Sequence, residues 1–221
     1  MRTSSLVGLL VTLASAPPAI AQSSDPTKDD SDQAVAGGAF PAGWSARPDG
    51  AGDPASIKFV AMEPGYHITL GPATILYRSE YTAKGPFHTL ARFHQTKKPR
   101  HPEGYGLFVG GQALTAKDQQ YTYFLVRGDG MYLIKWRNGE QTSEITKGWT
   151  AHPAIKKADV EGKATNLLEI DAKQNSSKIE FKVNGQTVHS AGASEIDTRG
   201  VVGLRINHNL DLHVEGFDLH Q

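Results

Sequence analysis

The chain has 221 residues, no cysteine, and 23 basic against 23 acidic residues, so its formal net charge is zero. A near-neutral chain gives no electrostatic reason to expect a nucleic acid or an anionic membrane as partner. Without cysteine, disulfides and thiolate metal sites are excluded, and stability has to come from a packed core. The sequence has no phosphate loop and no dinucleotide fingerprint, so we expect no cofactor.

The N-terminal 21 residues have the pattern of a secretory signal peptide. Arg2 precedes an apolar stretch that begins at Leu6, and the small residues Ala19 and Ala21 stand where a signal peptidase cleaves. The apolar stretch is too short to anchor the chain in a bilayer. We therefore expect residues 1–21 to be removed near Ala21, and the mature protein to be secreted or periplasmic without a membrane anchor.

Residues 22–38 form a segment rich in Ser, Asp and Gly that has no hydrophobic periodicity. Such a segment buries too little apolar surface to offset the entropy lost on ordering, so we expect a flexible acidic leader. The remaining part, residues 39–221, is long enough for a well-packed core, and we expect it to form one domain.

From Ile57 onward, apolar residues recur with period two in short runs that are rich in β-branched and aromatic residues. The best helical candidate, residues 151–160, contains Pro153 and allows at most a short turn of helix. Three dipeptides are typical of tight hairpin turns: Asp129-Gly130, Asn138-Gly139 and Asn184-Gly185. The sequence therefore predicts an all-β fold of antiparallel strands, arranged as a two-sheet sandwich or a barrel.

Four segments carry a resemblance to a known superfold, and they occur in the order "YGLFVGG", "YTYFLVRGDGMYLIKWRNG", "NLLEIDAKQNSSKIEFKVNGQTV" and "GVVGLRINHNLDLHVEGFDL". The chain resembles the concanavalin A-like lectin/glucanase jelly roll, and within it the laminin G-like and bacterial 3-keto-disaccharide hydrolase-like domains. The resemblance covers residues 40–221 and implies an antiparallel two-sheet jelly-roll sandwich. This superfold hosts lectins, glycosidases, lyases and interaction modules, so it implies no single function.

A two-residue turn at Asp129-Gly130 would place Tyr123 opposite Trp136. Strand alternation would then put Tyr123, Arg127, Tyr132 and Trp136 on one face of the hairpin. Aromatic rings with planar polar neighbours form a typical surface for sugars. The sequence therefore predicts these four residues as a binding site for a glycan or oligosaccharide. The alternative is that the aromatic side chains pack the interior of the sandwich.

The same hairpin contains Arg127-Gly128-Asp129, a tripeptide that in animal matrix proteins is a recognition motif for cell-adhesion receptors. Gly128 and Gly130, on either side of Asp129, favour a tight chain reversal. We therefore interpret the tripeptide as the bend of a hairpin, with Arg127 at the edge of the predicted sugar surface.

Two acidic motifs are candidate glycosidase residues. Jelly-roll glycosidases of the laminarinase type carry Glu-x-Asp-x-Glu on one strand, where two carboxylates are required for the retaining mechanism. The stretches "EIDAK" at 169–173 and "EIDTR" at 195–199 each lack the last acid. We interpret both as chance matches, and the catalytic residues stay unknown.

A cluster of histidines and acids near the C-terminus is a candidate metal site. Its members are His208, Asp211, His213, Glu215, Asp218 and His220. Carboxylates beside a histidine can bind a divalent ion. However, alternating polar residues on a half-exposed strand need no ion to explain them, so we expect no metal.

Three functions are compatible with these patterns. The leading hypothesis is an exported, lectin-like carbohydrate-binding module without catalytic activity. The second is a hydrolase of the 3-keto-disaccharide hydrolase-like kind that acts on oxidised sugars, although "GYGLFVGG" replaces that family's "NSGIFLR" segment. The third is a structural or adhesive interaction module.

Overall fold

The computed structural model describes residues 31–175 and 177–221, so the predicted signal peptide and the leader up to residue 30 lie outside the described residues. The described part of the chain contains fifteen β-strands and one 3-10 helix, Pro54–Ser56, and no α-helix. The strands form two sheets that face each other. The predicted all-β, antiparallel two-sheet sandwich is confirmed.

Sheet A consists of eight strands. Their bounds are β1 Ser45–Pro48, β4 Thr74–Ala83, β6 Gly104–Gln112, β7 Gln120–Arg127, β8 Met131–Asn138, β9 Gln141–Glu144, β10 Thr150–Ala151 and β14 Gly200–Ile206. Seven of them follow the order β1-β4-β14-β6-β7-β8-β10, and β9 also pairs with β8. The hairpin that carries the predicted sugar surface, β7 and β8, is therefore part of this sheet.

Sheet B consists of seven strands. Their bounds are β2 Ile57–Ala61, β3 Tyr66–Leu70, β5 His88–Gln95, β11 Ala164–Asp171, β12 Lys178–Val183, β13 Gln186–Gly192 and β15 Asp211–His220. The order across the sheet is β13-β12-β11-β5-β15-β3-β2. Its neighbours β5 and β15 come from distant parts of the chain, so the sheet closes only when long-range contacts form.

The turn dipeptides behave differently at different hairpins. Asn184 and Gly185 both have positive φ, 51° and 79°, and Val183 pairs with Gln186 across them. This is the predicted two-residue turn, and its positive φ angles cost little free energy for Asn and Gly. At the end of β8, Asn138 pairs with Gln141, so the turn residues there are one position later than the Asn-Gly dipeptide.

The hydrophobic core lies between the two sheets. Phe59, Phe93, Phe124 and Phe181 are at most 1% exposed and belong to one cluster of buried apolar side chains from both sheets. Burial of each such ring contributes about 1.5–3 kcal/mol to folding. This core fixes the relative position of the two sheets without any disulfide.

A buried polar residue attaches the chain after β10 to sheet B. Asn166 is completely buried, accepts a hydrogen bond from the Lys156 backbone N–H and donates to the Lys156 carbonyl oxygen and to the Tyr105 hydroxyl. Burial raises the pKa of Tyr105 to about 12, although the Asn166 hydrogen bond acts in the opposite direction. Because each buried polar group has a partner, the network holds the segment in one arrangement.

Backbone hydrogen bonds join the loops at one end of the sandwich. The Ala158 N–H donates to the Gly128 carbonyl oxygen at 2.8 Å, and the His152 N–H donates to the Gly130 carbonyl oxygen at 3.2 Å. The stretch 151–160 contains turns but no helix, which agrees with the expectation that Pro153 allows at most a short turn of helix. The tip of the β7–β8 hairpin is therefore fixed against a neighbouring loop.

Residues 31–38 carry no helix or strand. Gln33 donates through Nε2 to the Leu70 carbonyl oxygen at 2.7 Å, and the Gly37 N–H donates to the Ala55 carbonyl oxygen at 2.9 Å. This part of the predicted leader thus lies against the sandwich. Among the described residues, no helix is long and apolar enough to span a membrane.

Candidate functional site

The structure separates the four residues that the sequence predicts as a binding surface. Across the β7–β8 hairpin, Tyr123 pairs with Lys135 and Val126 pairs with Tyr132. Paired residues lie on the same face of a sheet. Tyr123 and Arg127 therefore lie on one face of sheet A, whereas Tyr132 and Trp136 lie on the other, and the prediction that all four share a face is wrong.

The physical reason is the length of the hairpin loop. Three residues, 128–130, form the loop, because the Gly130 N–H donates to the Arg127 carbonyl oxygen at 3.0 Å and Gly130 has a φ of 90°. A loop of three residues with glycine in the left-handed region is a common hairpin solution. It shifts the register of β8 by one residue, which turns every β8 side chain to the opposite face.

The two residues on the inner face have different surroundings. Tyr132 is 6% exposed and its ring contacts those of Phe124 and His189, so Tyr132 is a core residue. Trp136 is 39% exposed and borders a cavity of about 390 Å³ together with Glu195. Trp136 is thus accessible, but it does not share a surface with Tyr123 and Arg127.

The outer face of sheet A carries a second layer of apolar side chains. The layer consists of Ile75, Tyr77, Phe108, Leu114, Tyr121, Tyr123 and Leu125, each at most 7% exposed. Glycine makes room for it, since a Cβ at Gly203 would lie 2.4 Å from the Phe108 ring. Tyr123 is therefore part of a buried layer rather than an open aromatic platform.

An ion cluster lies on this layer. Arg205 is 4% exposed and donates to Asp49 from Nη1 at 2.8 Å and from Nη2 at 2.6 Å. Arg137 donates to the same carboxylate at 2.9 Å. Burial alone would raise the pKa of Asp49, but Arg205 and Arg137 hold it below its ordinary value. Asp49 is therefore ionised at neutral pH and joins two arginines from distant strands.

The arginines of the cluster also cover the tyrosines. The Arg205 guanidinium lies 5.6 Å from the centre of the Tyr123 ring, and that of Arg137 lies 5.9 Å from the centre of the Tyr121 ring. Burial raises the pKa of both tyrosines. These cation–π contacts stabilise the arginine positions and keep Tyr123 beneath them.

A partly exposed aromatic side chain lies farther along the same face. Trp149 is half-buried, and the Arg127 guanidinium lies 4.3 Å from the centre of its ring. Arg127 also donates to Asp129, from Nε to Oδ1 at 3.0 Å and from Nη2 to Oδ2 at 2.6 Å. We call these three residues the Trp149–Arg127 site.

Local structure explains the position of Trp149. It directly precedes β10, whose Thr150 pairs with Tyr132 of β8. Gly104 leaves space for the ring, since a Cβ there would lie 2.8 Å from Trp149 Cη2. The sequence did not reveal Trp149 as a site residue, because it lies in an irregular segment without alternation.

The candidate metal cluster near the C-terminus is dispersed in the structure. His213 and Glu215 are on β15, where Glu215 Oε1 lies 3.2 Å from His94 Nε2 and 3.5 Å from His213 Nε2. His208 instead contacts Glu103 at 3.0 Å. In residues 31–175 and 177–221, no group of three or more His, Asp or Glu side chains is arranged to hold a metal ion.

The acidic motifs have local partners. Glu169 contacts His88 at 3.0 Å, and Asp171 contacts Lys182 at 2.9 Å, both on sheet B. Glu195 accepts a hydrogen bond from the Gly192 N–H at 2.9 Å. None of these carboxylates belongs to the Trp149–Arg127 site.

Solved structures with a similar fold include a carbohydrate-binding module and a protein with a galectin-like fold. The carbohydrate-binding module CBM66 of Bacillus subtilis is 12% identical, with a TM-score of 0.59 over 81% of this chain and 96% of that chain. A Bacillus subtilis protein of unknown function with a galectin-like fold is 11% identical, with a TM-score of 0.56 over 80% of this chain and 89% of that chain. The chain thus has a concanavalin A-like sandwich fold. Its sequence matches no protein-family model and no curated protein.

Proposed function

We propose that the protein is a lectin-like carbohydrate-binding module that holds a glycan on the outer face of sheet A. The observation that carries the proposal is the half-buried Trp149 ring with the Arg127 guanidinium 4.3 Å from its centre. It occurs on a fold similar to that of a solved carbohydrate-binding module, over nearly the whole length of that module.

The chemistry of the site suits a sugar. The face of an indole ring packs against the C–H groups of a sugar ring, whereas a guanidinium and a carboxylate bond to its hydroxyl groups. Trp149 supplies the ring, and the Arg127–Asp129 pair supplies donors and acceptors beside it. The ion pair also fixes the Arg127 side chain, so less entropy is lost when a ligand binds.

The Asp49 cluster extends the polar surface along the same face. The Asp49 side chain is 27% exposed and that of Arg137 is 12% exposed, so both offer some polar surface. Their mutual hydrogen bonds hold them in place before any ligand arrives. An extended glycan would contact Trp149 first and this cluster second.

We propose that binding occurs without catalysis. This is supported by the positions of the acidic motifs, since Glu169 and Asp171 contact His88 and Lys182 on the other sheet. Incubation with 3-keto-disaccharides, with and without divalent metal ions, tests this part of the proposal. The appearance of monosaccharide products above the uncatalysed level would contradict it and favour the hydrolase alternative.

We further propose that the chain is exported and cleaved after Ala21. The support is the basic, apolar and small-residue pattern of the N-terminus. Expression of the whole chain in a bacterium, followed by mass spectrometry of the soluble product, should give a mature N-terminus at Gln22. Full-length chain in the cytoplasm would contradict export.

A glycan array tests the central part of the proposal. Folded protein is applied to an array of plant, bacterial and animal glycans, and bound protein is detected through a tag. We expect binding to a small group of related glycans. A blank array for protein with an intact melting transition would overturn the proposal and favour a structural or adhesive module.

A further inference from the structure

The cavity beside Trp136 is formed by strands β7, β8 and β9 together with the loop between β13 and β14. Its volume is about 390 Å³, within the range of roughly 300–1,000 Å³ that is usual for small-molecule sites. We call it the Trp136 pocket. Because Trp136 is on the inner face of sheet A, this pocket is separate from the Trp149–Arg127 site on the outer face.

Three side chains form a continuous row across one wall of the pocket. Thr122 of β7 pairs with Trp136 of β8, and Trp136 pairs with Ser143 of β9. Paired residues lie on the same face of a sheet, with Cβ atoms about 4.5–5.5 Å apart. The indole ring is therefore flanked on both sides by a hydroxyl group.

The ring of Trp136 is available to a ligand. It is 39% exposed. The cation–π contacts of the described residues cover Tyr81, Tyr121, Tyr123 and Trp149, and none of them covers Trp136. Since the indole face is the most favourable aromatic partner for a cation, Trp136 offers an unused cation site.

The Thr122 hydroxyl is an unused hydrogen-bonding group beside the ring. Thr122 is only 2% exposed, and within the described part of the chain its hydroxyl makes no hydrogen bond. The hydroxyl is also not among the polar atoms that are enclosed without a partner. Its remaining accessible surface therefore faces the pocket, which Thr122 lines.

Glu195 supplies an unpaired carboxylate that a ligand can reach. The side chain is exposed, and its Oε2 accepts the Gly192 N–H at 2.9 Å, which fixes its position. Among the described residues, no Lys, Arg or His nitrogen lies within ion-pair distance of Glu195. The other acid of the wall, Asp197, is paired with Arg199, so it adds no free charge.

A histidine near Glu195 does not compensate its charge. Burial lowers the pKa of His189, although the Glu195 carboxylate acts in the opposite direction. His189 is therefore uncharged at neutral pH. The Glu195 carboxylate remains the one uncompensated charge among the residues that line the pocket.

Apolar side chains complete the wall. Ile145 is half-buried and Ile196 is 4% exposed, and both line the pocket together with Trp136. The pocket thus combines an apolar wall with one negative charge. Such a site suits an amphipathic cation, whose alkyl chain packs on apolar surface while its charged end stays at polar groups.

The polar groups select a primary ammonium among possible ligand groups. An ammonium has three N–H donors and no acceptor, and the hydroxyls of Thr122 and Ser143 and the carboxylate of Glu195 all accept hydrogen bonds. An anion would be repelled by Glu195, and an uncharged ligand would leave the carboxylate without a counter-charge.

We propose that the Trp136 pocket binds the primary ammonium group of an aliphatic amine, with the positive charge between the Trp136 ring and the Glu195 carboxylate. The alkyl chain packs against Ile145 and Ile196. This site goes beyond the proposed glycan-binding function and does not depend on it. A free diamine and a lysine side chain of a peptide share the required chemistry, and the test separates these two sources.

The test is a titration of the isotope-labelled full chain at neutral pH, followed by two-dimensional amide NMR. The probes are cadaverine, acetyl-lysine methylamide with a free side-chain amine, and pentanediol as the uncharged match of cadaverine. The reporters are the amides of Thr122, Ser143 and Ile196, which line the pocket. We expect at least one amine to shift them and to bind at least about tenfold more tightly than pentanediol, which corresponds to about 1.4 kcal/mol.

Three variants are titrated in parallel. Glu195→Gln removes the charge but keeps an oxygen for the Gly192 N–H, and Trp136→Ala removes the ring. Glu140→Gln is the control, because it removes an exposed carboxylate that does not line the pocket. We expect amine affinity to be at least about tenfold weaker in the first two variants and unchanged in Glu140→Gln.

The inference is overturned if neither amine shifts the reporter amides, if pentanediol binds as tightly as cadaverine, or if Glu195→Gln retains wild-type affinity. A response to acetyl-lysine methylamide alone supports it and identifies a lysine side chain as the ligand, and a response to cadaverine alone supports it and identifies a free amine. If Trp136→Ala does not fold, the comparison of Glu195→Gln with Glu140→Gln decides.

The outcomes also separate this inference from the proposed function. Glycan binding on the array together with unshifted reporter amides would overturn only the amine site. A blank array together with amine binding that depends on Glu195 would overturn only the glycan proposal.

Discussion

Asp49 and Arg205 are 156 residues apart in the sequence and form a two-bond ion pair on the outer face of sheet A, with N–O distances of 2.8 and 2.6 Å. Asp49 follows β1 and Arg205 lies on β14, so the pair connects the edge of the sheet to its interior. Such two-bond guanidinium–carboxylate pairs are stronger than single-contact pairs.

Replacement of Asp49 by Asn tests the contribution of this pair to stability. The change leaves the buried Arg205 charge without its main partner, which costs about 3 kcal/mol. Urea unfolding should show the loss as a lower midpoint with an unchanged slope. Asp197→Asn is the matched control, because Asp197 is 51% exposed and pairs with an exposed arginine, so its loss should cost at most about 1 kcal/mol.

The same pair predicts a dependence of stability on pH. The folded-state pKa of Asp49 is lowered, so its contribution is present above the unfolded-state pKa and disappears as the pH falls through the folded-state pKa. We expect the wild type to lose stability below about pH 4. Asp171 and Asp211 have lowered pKa values as well. The decrease in stability at low pH should therefore be smaller in Asp49→Asn than in the wild type, but it should not disappear. An unchanged acid profile in the variant would contradict the account.

The register of the β7–β8 hairpin shows where the sequence is ambiguous. The stretch "RGDGM" accommodates a two-residue turn at Asp129-Gly130 or a three-residue loop at 128–130, and both strands alternate in either case. The observed loop is the longer one, with Gly130 in the left-handed region. A difference of one residue in loop length decides which face each β8 side chain occupies. Tyr132 and Trp136 therefore lie on the inner face, opposite to Tyr123 and Arg127.

Period-two alternation and glycine turns were sufficient to predict an antiparallel all-β fold, because these signals are local, whereas the choice of a sandwich over a barrel came from the resemblance to a known superfold. The Asn184-Gly185 turn is an example, since both residues adopt the predicted positive φ. The candidate site depends instead on contacts between distant segments, such as Arg127 with Trp149 and Arg205 with Asp49. Such contacts form when distant segments pack together on the folded sheet, and no local sequence pattern predicts them.

Substitution of Gly162 tests the packing of its loop against the loop that contains Lys98. Gly162→Ala forces a residue with a side chain into a φ of 86° and against the Lys98 backbone, so we expect a loss of about 3 kcal/mol. Gly185→Ala is the control, since its φ is similar, 79°, but no atom lies within 4 Å of the added Cβ. Its loss should be about 1 kcal/mol. Equal losses in thermal unfolding would show that the close approach contributes nothing.

The Arg127-Gly128-Asp129 tripeptide gives a separate prediction. Its charged side chains bond to each other, and the Gly128 carbonyl oxygen accepts the Ala158 N–H, so the motif is held in a short, fixed hairpin. Asp129→Glu should leave the attachment of animal cells to protein-coated plates at the wild-type level, with a linear peptide of the same tripeptide as positive control. Attachment that depends on Asp129 would identify an adhesion site.

The most direct measurement for the glycan-binding account is a glycan array with the wild type, Trp149→Ala and Trp136→Ala side by side. Trp149 lies on the outer face beside Arg127, whereas Trp136 lies on the inner face at 39% exposure, so the two variants remove the same side chain from opposite faces. The account predicts that Trp149→Ala loses binding but still unfolds in one cooperative transition, at a lower temperature because the half-buried ring also packs against the outer layer, while Trp136→Ala binds like the wild type. Retained binding in Trp149→Ala, or its loss only in Trp136→Ala, would contradict the assignment of the site to the outer face of sheet A.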